Sequence, residues 1–450
     1  MIVNGRPGFR RLTRRDFLAL GAGAGVGVAL TGCGGGPDSN PAVQSGGGSG
    51  GKTYDGPNVA LKFWNGFTGG DGPLMRDLVE RFSSEHGNID VSMNVMEWED
   101  YYQKVPAAVS SGNGPDVGIM HSDQLGTNAA RGVILPLDDV ASSLELKESD
   151  FTPAVWQAGT YDEQRFGIPL DIHPLALYYN KAVLEEAGLD PESPPQNRDD
   201  YMSVLEELKA SGIQGHWVSP FLFTGTLTFE SLLWQFGGDL YNEDVTKATF
   251  NSDAGVEALT WMVDLVKDGY SPKNVAQDAE GTAFQNNNNA FEWTGIWQIN
   301  AWREVEDLEW GVAPLPQIGS EKGAWAGSHN FVIMRQRSQD DNKLQAAKVF
   351  INWISRQSIE WAKAGQVPAR KSVRESSEFQ SLEEQSTIAQ QLPYVHFVPA
   401  VPGIADVQTD TFEQAVNEAV LLKQEPKAAL DEAASRADKL LEENRQKYEG

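Results

Sequence analysis

Hydrophobic and polar positions along the chain follow two periods in turn. Val59-Ala60-Leu61-Lys62-Phe63 reads as a short strand, and Leu74, Leu78, Val79 and Phe82 then recur at helical spacing on one face. Ile89, Val91, Met93 and Val95 alternate with polar residues as a second strand. A helix around 102–109 and a strand over 117–120 follow. Leu177-Tyr178-Tyr179 runs into Asn180, a helix cap, ahead of a helix over 181–187 that Gly188 stops. Asn251 is expected to cap a helix whose apolar face is Val256, Leu259, Met262, Val263 and Val266. Ala346, Val349, Phe350, Trp353 and Ile354 mark another. From 415 to 448, charged residues mixed with Ala and Leu predict an amphipathic helix packed on the body. No internal repeat is evident, and the four asparagines at 286–289 read as a solvated loop. Repeated alternation of strand and helix predicts an α/β protein with largely parallel sheets.

The first 52 residues stand apart from this pattern. Arg6, Arg10, Arg11, Arg14 and Arg15 form a basic head, followed by a Gly/Ala-rich apolar run over 17–30. A membrane span needs about 20 apolar residues, so the run has the length of a signal-peptide core instead. Thr13-Arg14-Arg15-Asp16-Phe17-Leu18 reads as a twin-arginine export signal, with Arg14 and Arg15 as the pair that is recognised. The run ends Leu30-Thr31-Gly32-Cys33, and Cys33 is the only cysteine in the chain. A lone cysteine placed here resembles the lipobox of bacterial lipoproteins, in which the thiol is acylated and becomes the new N-terminus. Residues 1–32 would then be a removable signal peptide. The Gly/Ser-rich stretch 33–52 would be a flexible tether with a reach of roughly 25 Å. One cysteine allows no intrachain disulfide, so oxidising surroundings are tolerated without being used. The chain from 53 onward, about 400 residues, is too long for one core and suits two.

The net charge is −27, and residues 1–32 carry five Arg and one Asp, so their removal takes it to −31. Such a protein is repelled by nucleic acid and by anionic lipid. The chain holds thirteen Trp, several of them in Gly-rich, polar company and not in apolar stripes. The six His show no i, i+4 pair, and the sequence reading therefore expects neither a metal site nor a cofactor. Gly-x-Ser-x-Gly, phosphate-loop and His-Glu-x-x-His motifs are absent.

Six stretches, in order, carry a family resemblance. They are Leu61-Lys62-Phe63-Trp64-Asn65-Gly66-Phe67; Gly114-Pro115-Asp116-Val117; and Gly167-Ile168-Pro169-Leu170 followed by Leu177-Tyr178-Tyr179-Asn180-Lys181. Then come Trp234-Gln235-Phe236-Gly237-Gly238, Trp293-Thr294-Gly295-Ile296-Trp297, and Gly327-Ser328-His329-Asn330-Phe331. Together they resemble the family-1 extracellular solute-binding proteins, the maltose-binding-protein-like group. This chain has Gly295-Ile296-Trp297 where that family often has Gly-Pro-Trp. The resemblance implies a periplasmic-binding-protein type II fold, with two α/β lobes joined by hinge crossovers around an interlobe ligand cleft. Lobe 1 would comprise 53–170 and 325–369, and lobe 2 would comprise 171–324 and 370–450. The crossings would fall near 169–174, 314–326 and 367–370, where Pro and Gly punctuate the chain.

A pyranose offers a flat C–H face to an aromatic ring and a rim of hydroxyls to carboxylates, amides, Arg and backbone groups. Trp64, Asn65 and Asp71 follow a strand end, where ligands sit in open α/β sheets; a packed turn is the competing reading. Trp98 and Asp116 are equally open to structural roles, whereas His121 and Asp123 end a strand, which favours the cleft. Asp171 and His173 lie at the first crossing, where side chains face the ligand in this family. Trp234 and Gly238 compete with core packing and a helix end. Trp293 and Trp297 flank Gly295, with Trp297 the leading stacking residue. Trp325, Ser328 and His329 mark the second crossing, and Arg370 follows the third. Trp261, Trp310, Trp353 and Trp361 read as core.

The expectation is a monomeric binding protein that captures a mono- or oligosaccharide and delivers it to ABC permease subunits, held at the outer face of the membrane by a lipid on Cys33. It would have no enzymatic activity. A secreted carbohydrate-active enzyme, or a binder of polyamines or peptides, are the rival readings.

Overall fold

In β1 (Val59–Asn65), Leu61, Phe63 and Asn65 point inward while Lys62 faces solvent. The following helix, Gly72–Glu85, buries Met75, Leu78, Val79 and Phe82. Met75 joins the expected stripe as a fully buried residue, while Leu74 packs against the same core half-buried. The computed structural model describes residues 53–222 and 224–448, all within one compact unit. Arg14, Arg15, Cys33 and the 33–52 tether lie outside the described residues. Among the described residues, no helix is long and apolar enough to cross a membrane.

Two sheets organise the chain. The first has the order β2 (Ile89–Val95), β1, β3 (Val117–His121), β9 (His329–Ile333) and β4 (Ile168–Pro169). β2 and β3 run parallel to β1, while β9 is antiparallel to both β3 and β4. The second sheet is built around β5 (Asp171–Asn180), which is buried at all ten positions. β6 (Phe291–Gly295), β7 (Trp310–Ala313), β8 (Ala324–Gly327) and β10 (Val367–Pro368) all pair with β5 antiparallel. β11 (Val395–His396) joins β8 in parallel. The expectation of largely parallel sheets therefore holds for the β2-β1-β3 part and fails for the second sheet. Strands returning from distant parts of the chain, and not βα units, are what cover β5.

The chain passes between the sheets at Leu170, at Ser328 and again between Ile333 and Val367. β8 still belongs to the second sheet, so the change of sheet comes at Ser328, just past the 314–326 region expected. Several local signals follow the sequence. The Asn180 side chain accepts from the Val183 amide, and Gly188 takes a left-handed φ of 78°. Two differ. Ser252 is the cap of helix Asp253–Lys267, because its hydroxyl reaches the Gly255 amide while Asn251 bonds Asp431 instead. The charged C-terminal run is two helices, Phe412–Val420 and Pro426–Tyr448, broken where Leu422 turns left-handed and Pro426 restarts the helix.

In the first sheet's core Phe63 is fully buried, its ring centroid 5.2 Å from that of Phe350 and 6.3 Å from that of Phe331. Replacing Phe63 by Ala should lower stability by about 3–5 kcal/mol, read as a lower urea midpoint. A loss below about 1 kcal/mol would mean this layer collapses around the missing ring.

Candidate functional site

The junction of the sheets is organised by one carboxylate. Asp171, the first residue of β5, is fully buried. One of its oxygens accepts from the His329 amide at 3.0 Å and from Nδ1 of His173 at 3.2 Å. The other accepts from Nδ1 of His329 at 2.8 Å and from the Trp361 indole at 2.7 Å. Burial alone would raise its pKa, but His329 and His173 outweigh that and hold it well below the usual carboxylate range.

The register of the strands places three histidines around this group. His329 pairs opposite His121 across β3 and β9, and His173 pairs opposite Gly327, two residues before His329. Ring centroids are 4.4 Å apart for His173 and His329, 4.8 Å for His121 and His329, and 5.6 Å for His121 and His173. The absence of an i, i+4 pair gave no sign of this cluster. Three strands, widely separated in sequence, bring half of the six together. Burial, and then His329, push the His173 pKa down to about 4. Burial, His329 and His173 together lower that of His121 as well.

Aromatic side chains wall the cluster. Trp98, at the start of helix Trp98–Ser111, stacks on His329 at 5.6 Å and 15° and lies 4.4 Å from His121. It rests on Gly66, where a Cβ would come within 2.1 Å of the indole. Trp297 stands 6.4 Å from His173 and rests in the same way on Gly295, where a Cβ would meet its ring at 1.9 Å. Trp325 is 5.8 Å from His173. Phe67 packs on Trp98, His329 and Trp361. The Tyr102 hydroxyl accepts from the His121 amide and lies 2.7 Å from its Nδ1.

Further carboxylates border the junction. Burial raises the pKa of Asp71, with Asp171 adding to the rise and His329 opposing it. Gln366 donates to Asp71 at 3.3 Å. Burial raises Asp123 to about 6. Glu230, fully buried on helix Gly225–Gln235, is held high by burial, Glu413 and Asp123. Gln408 donates to one Glu230 oxygen at 2.9 Å, and the other has no hydrogen-bond partner. Glu413 is raised to about 7 by burial, with Asp410 and Asp123 adding to it.

Of the residues singled out from the sequence, Asp71, Trp98, His121, Asp171, Trp297, Trp325 and His329 meet here. Others do not. Asp116 directly precedes β3, at the end opposite His121, where it accepts from the Lys62 amide and pairs with Lys343 at 3.1 Å. Trp293 is buried among Trp261, Tyr201 and His216. Trp234 bonds Asp239 and stacks on His396, and Gly238 sits tight against Leu233 and Ala254. The Asn65 carboxamide accepts from the Phe67 amide as a turn, while its Nδ2 has no hydrogen-bond partner. Trp64 packs with the cluster that includes Tyr101 and Met120. Ser328 is buried where the chain changes sheets, its carbonyl accepting from Ser122. Arg370 donates to Ser355 and lies over Phe151. Phe67 and Tyr102 were missed, whereas Trp361 is core as expected and also donates to Asp171. Only Phe67, directly after a strand end, carried a usable signal.

Glu413 also gives a pH-dependent test. A raised folded pKa means that the native state binds more protons than the unfolded state between about pH 4.5 and pH 7, so stability falls as pH rises through that window. Glu413→Gln should therefore match the parent at pH 4 and exceed it at pH 8, by up to about 2 kcal/mol, in paired denaturant titrations. Equal stability at both values would place this carboxyl in solvent.

Residues 67–358 match the family model of bacterial extracellular solute-binding proteins. The chain is 25% identical over 413 residues to the sn-glycerol-3-phosphate-binding periplasmic protein UgpB of Escherichia coli (strain K12), covering 85% of this chain and 92% of that protein. Its structure is similar to that of the cyclic alpha-maltosyl-1,6-maltose binding protein from Arthrobacter globiformis, with a TM-score of 0.74, 25% identity and coverage of 86% of this chain and 100% of that one. It also resembles an ABC transporter solute-binding protein from Thermotoga lettingae bound with alpha-D-tagatose, with a TM-score of 0.74, 24% identity and coverage of 85% and 100%.

Proposed function

Because the chain belongs to the bacterial extracellular solute-binding proteins and has their two-lobed type II fold, we propose that it captures a mono- or oligosaccharide where its sheets meet. It hands the sugar to the transmembrane subunits of an ABC importer and performs no chemistry of its own. The observation that carries this reading is the meeting of Trp98, Trp297 and Trp325 with Asp71 and Asp123 around the cluster that Asp171 holds together. Rings offer flat faces to the C–H side of a pyranose, and carboxylates accept from its hydroxyls at about 1.5–3 kcal/mol each. The same carboxylates disfavour a phosphate, the group that UgpB's name implies for its own ligand. Asp123, which raises the pKa of both Glu230 and Glu413, forms with them an acidic group that favours a polyamine as the second reading.

The lobes in this reading are 53–170 with 325–369, and 171–324 with 370–450, closing on the ligand about the three crossings. Export through the Arg14-Arg15 signal and acylation of Cys33 hold the protein, as a monomer, at the outer face of the membrane. Cys33→Ser should move it from the membrane fraction to the soluble one; continued retention after that change would sink the anchor.

The first test of function is a thermal-shift screen of the full chain in mild detergent against mono-, di- and oligosaccharides, amino acids, peptides, spermidine and glycerol 3-phosphate. A ligand at 100 times its dissociation constant adds about 2.7 kcal/mol, a clear shift. One responding sugar class supports the proposal. A response to spermidine alone, falling steeply with salt, overturns it in favour of a cation binder. Trp297→Ala should weaken sugar binding by at least about tenfold with the ligand-free melting point unchanged, and full affinity would remove that ring from the site.

A further inference from the structure

Sugar recognition needs rings and acceptors; it does not need three imidazoles in mutual contact. One ring nitrogen each from His121, His173 and His329 lies within 4.8 Å of the other two. We propose that these three histidines bind a first-row transition-metal dication such as Zn(II), Ni(II) or Cu(II). The protein would supply three nitrogen ligands and leave a fourth position for water or a donor atom of a solute. The site goes beyond the sugar reading and does not depend on it.

Three features support the assignment. The first is ligand type. An all-imidazole set suits Zn, Cu and Ni and is poor for Mg or Ca, which take oxygen.

The second is orientation. Asp171 engages Nδ1 of both His173 and His329, which leaves Nε2 of each as the available donor. Tyr102 stands in the same relation to Nδ1 of His121. Metal-binding histidines almost always have such an outer partner, which fixes the ring and raises its basicity. At Gly327 a Cβ would come within 2.2 Å of the His173 Nε2, so only glycine lets the strand pass this close to that ring.

The third is charge. Asp171 lies against two of the rings, and Asp71 senses both Asp171 and His329, so buried carboxylates offset the dication. Tetrahedral bonds of about 2.0–2.1 Å put ligand nitrogens about 3.4 Å apart. Rotations that move the ring nitrogens by about an ångström would close the set.

The test is calorimetric titration of ZnCl2 into the untagged, chelator-treated full chain in mild detergent, with excess Mg(II) occupying surface carboxylates. One Zn(II) per chain is expected. CoCl2 in its place should give the strong visible absorption of four-coordinate Co(II). His121→Gln and His329→Gln should each weaken binding by at least about tenfold, and Asp171→Asn by about 10–100-fold. Cys33→Ser should leave binding unchanged, which separates this site from the lone thiol. If His329→Gln fails to fold, His121→Gln decides, because that ring lies outside the Asp171 hydrogen bonds. No uptake above the Mg(II) background overturns the proposal, as does uptake that both histidine variants retain. Neither outcome bears on the sugar screen, which is run without added metal.

Discussion

A carboxylate taken out of water survives only if donors surround it, and at Asp171 four of them do. The donors come from β5, from β9 and from helix Ser358–Lys363, so satisfying one charge fixes three segments relative to each other. The charge sits where the chain leaves the first sheet for the second, and the His329 amide that binds it lies at the return. Loss of the carboxylate would leave an indole N–H, a backbone N–H and two imidazoles to find other partners in a dry interior. Each unpaired donor there costs about 1–3 kcal/mol.

The remainder of the site follows from that anchor and from strand register. Once His329 is held, pairing of β9 with β3 carries His121 to it, and pairing of β8 with β5 carries His173. Trp98 then has a flat imidazole to lie on, and Phe67 fills the angle between Trp98 and Trp361. Recognition in such a place rests on residues that the fold holds in position before any ligand arrives, which reduces the ordering cost of binding.

Much of this architecture was legible in the sequence, and the failures are physical. Helical and strand periods located β1, β2, β3 and most long helices, and the resemblance located Asp171 and His329. The antiparallel second sheet was not legible, because a strand buried at every position, as β5 is, carries no alternation to show its partners. Asp116 was avoidable. Ligands gather beyond the carboxyl ends of strands, and Asp116 precedes β3 while His121 ends it. Trp293 lies inside β6, buried at every position, and Trp297 lies half-buried just beyond it, a boundary that the sequence pattern did not mark. The histidine cluster was beyond reach, because neither composition nor spacing encodes the register of strands so distant in sequence.

The two glycine floors bear on how the site could diverge. Trp98 lies on Gly66 and Trp297 on Gly295, each with no room for a single added methyl. A smaller ring at either position would release its glycine to become another residue, and any residue but glycine there would bar the ring's return. Change of ligand range at these walls is therefore a two-position event with a ratchet. Among relatives, glycine at each floor and tryptophan above it should be gained and lost together.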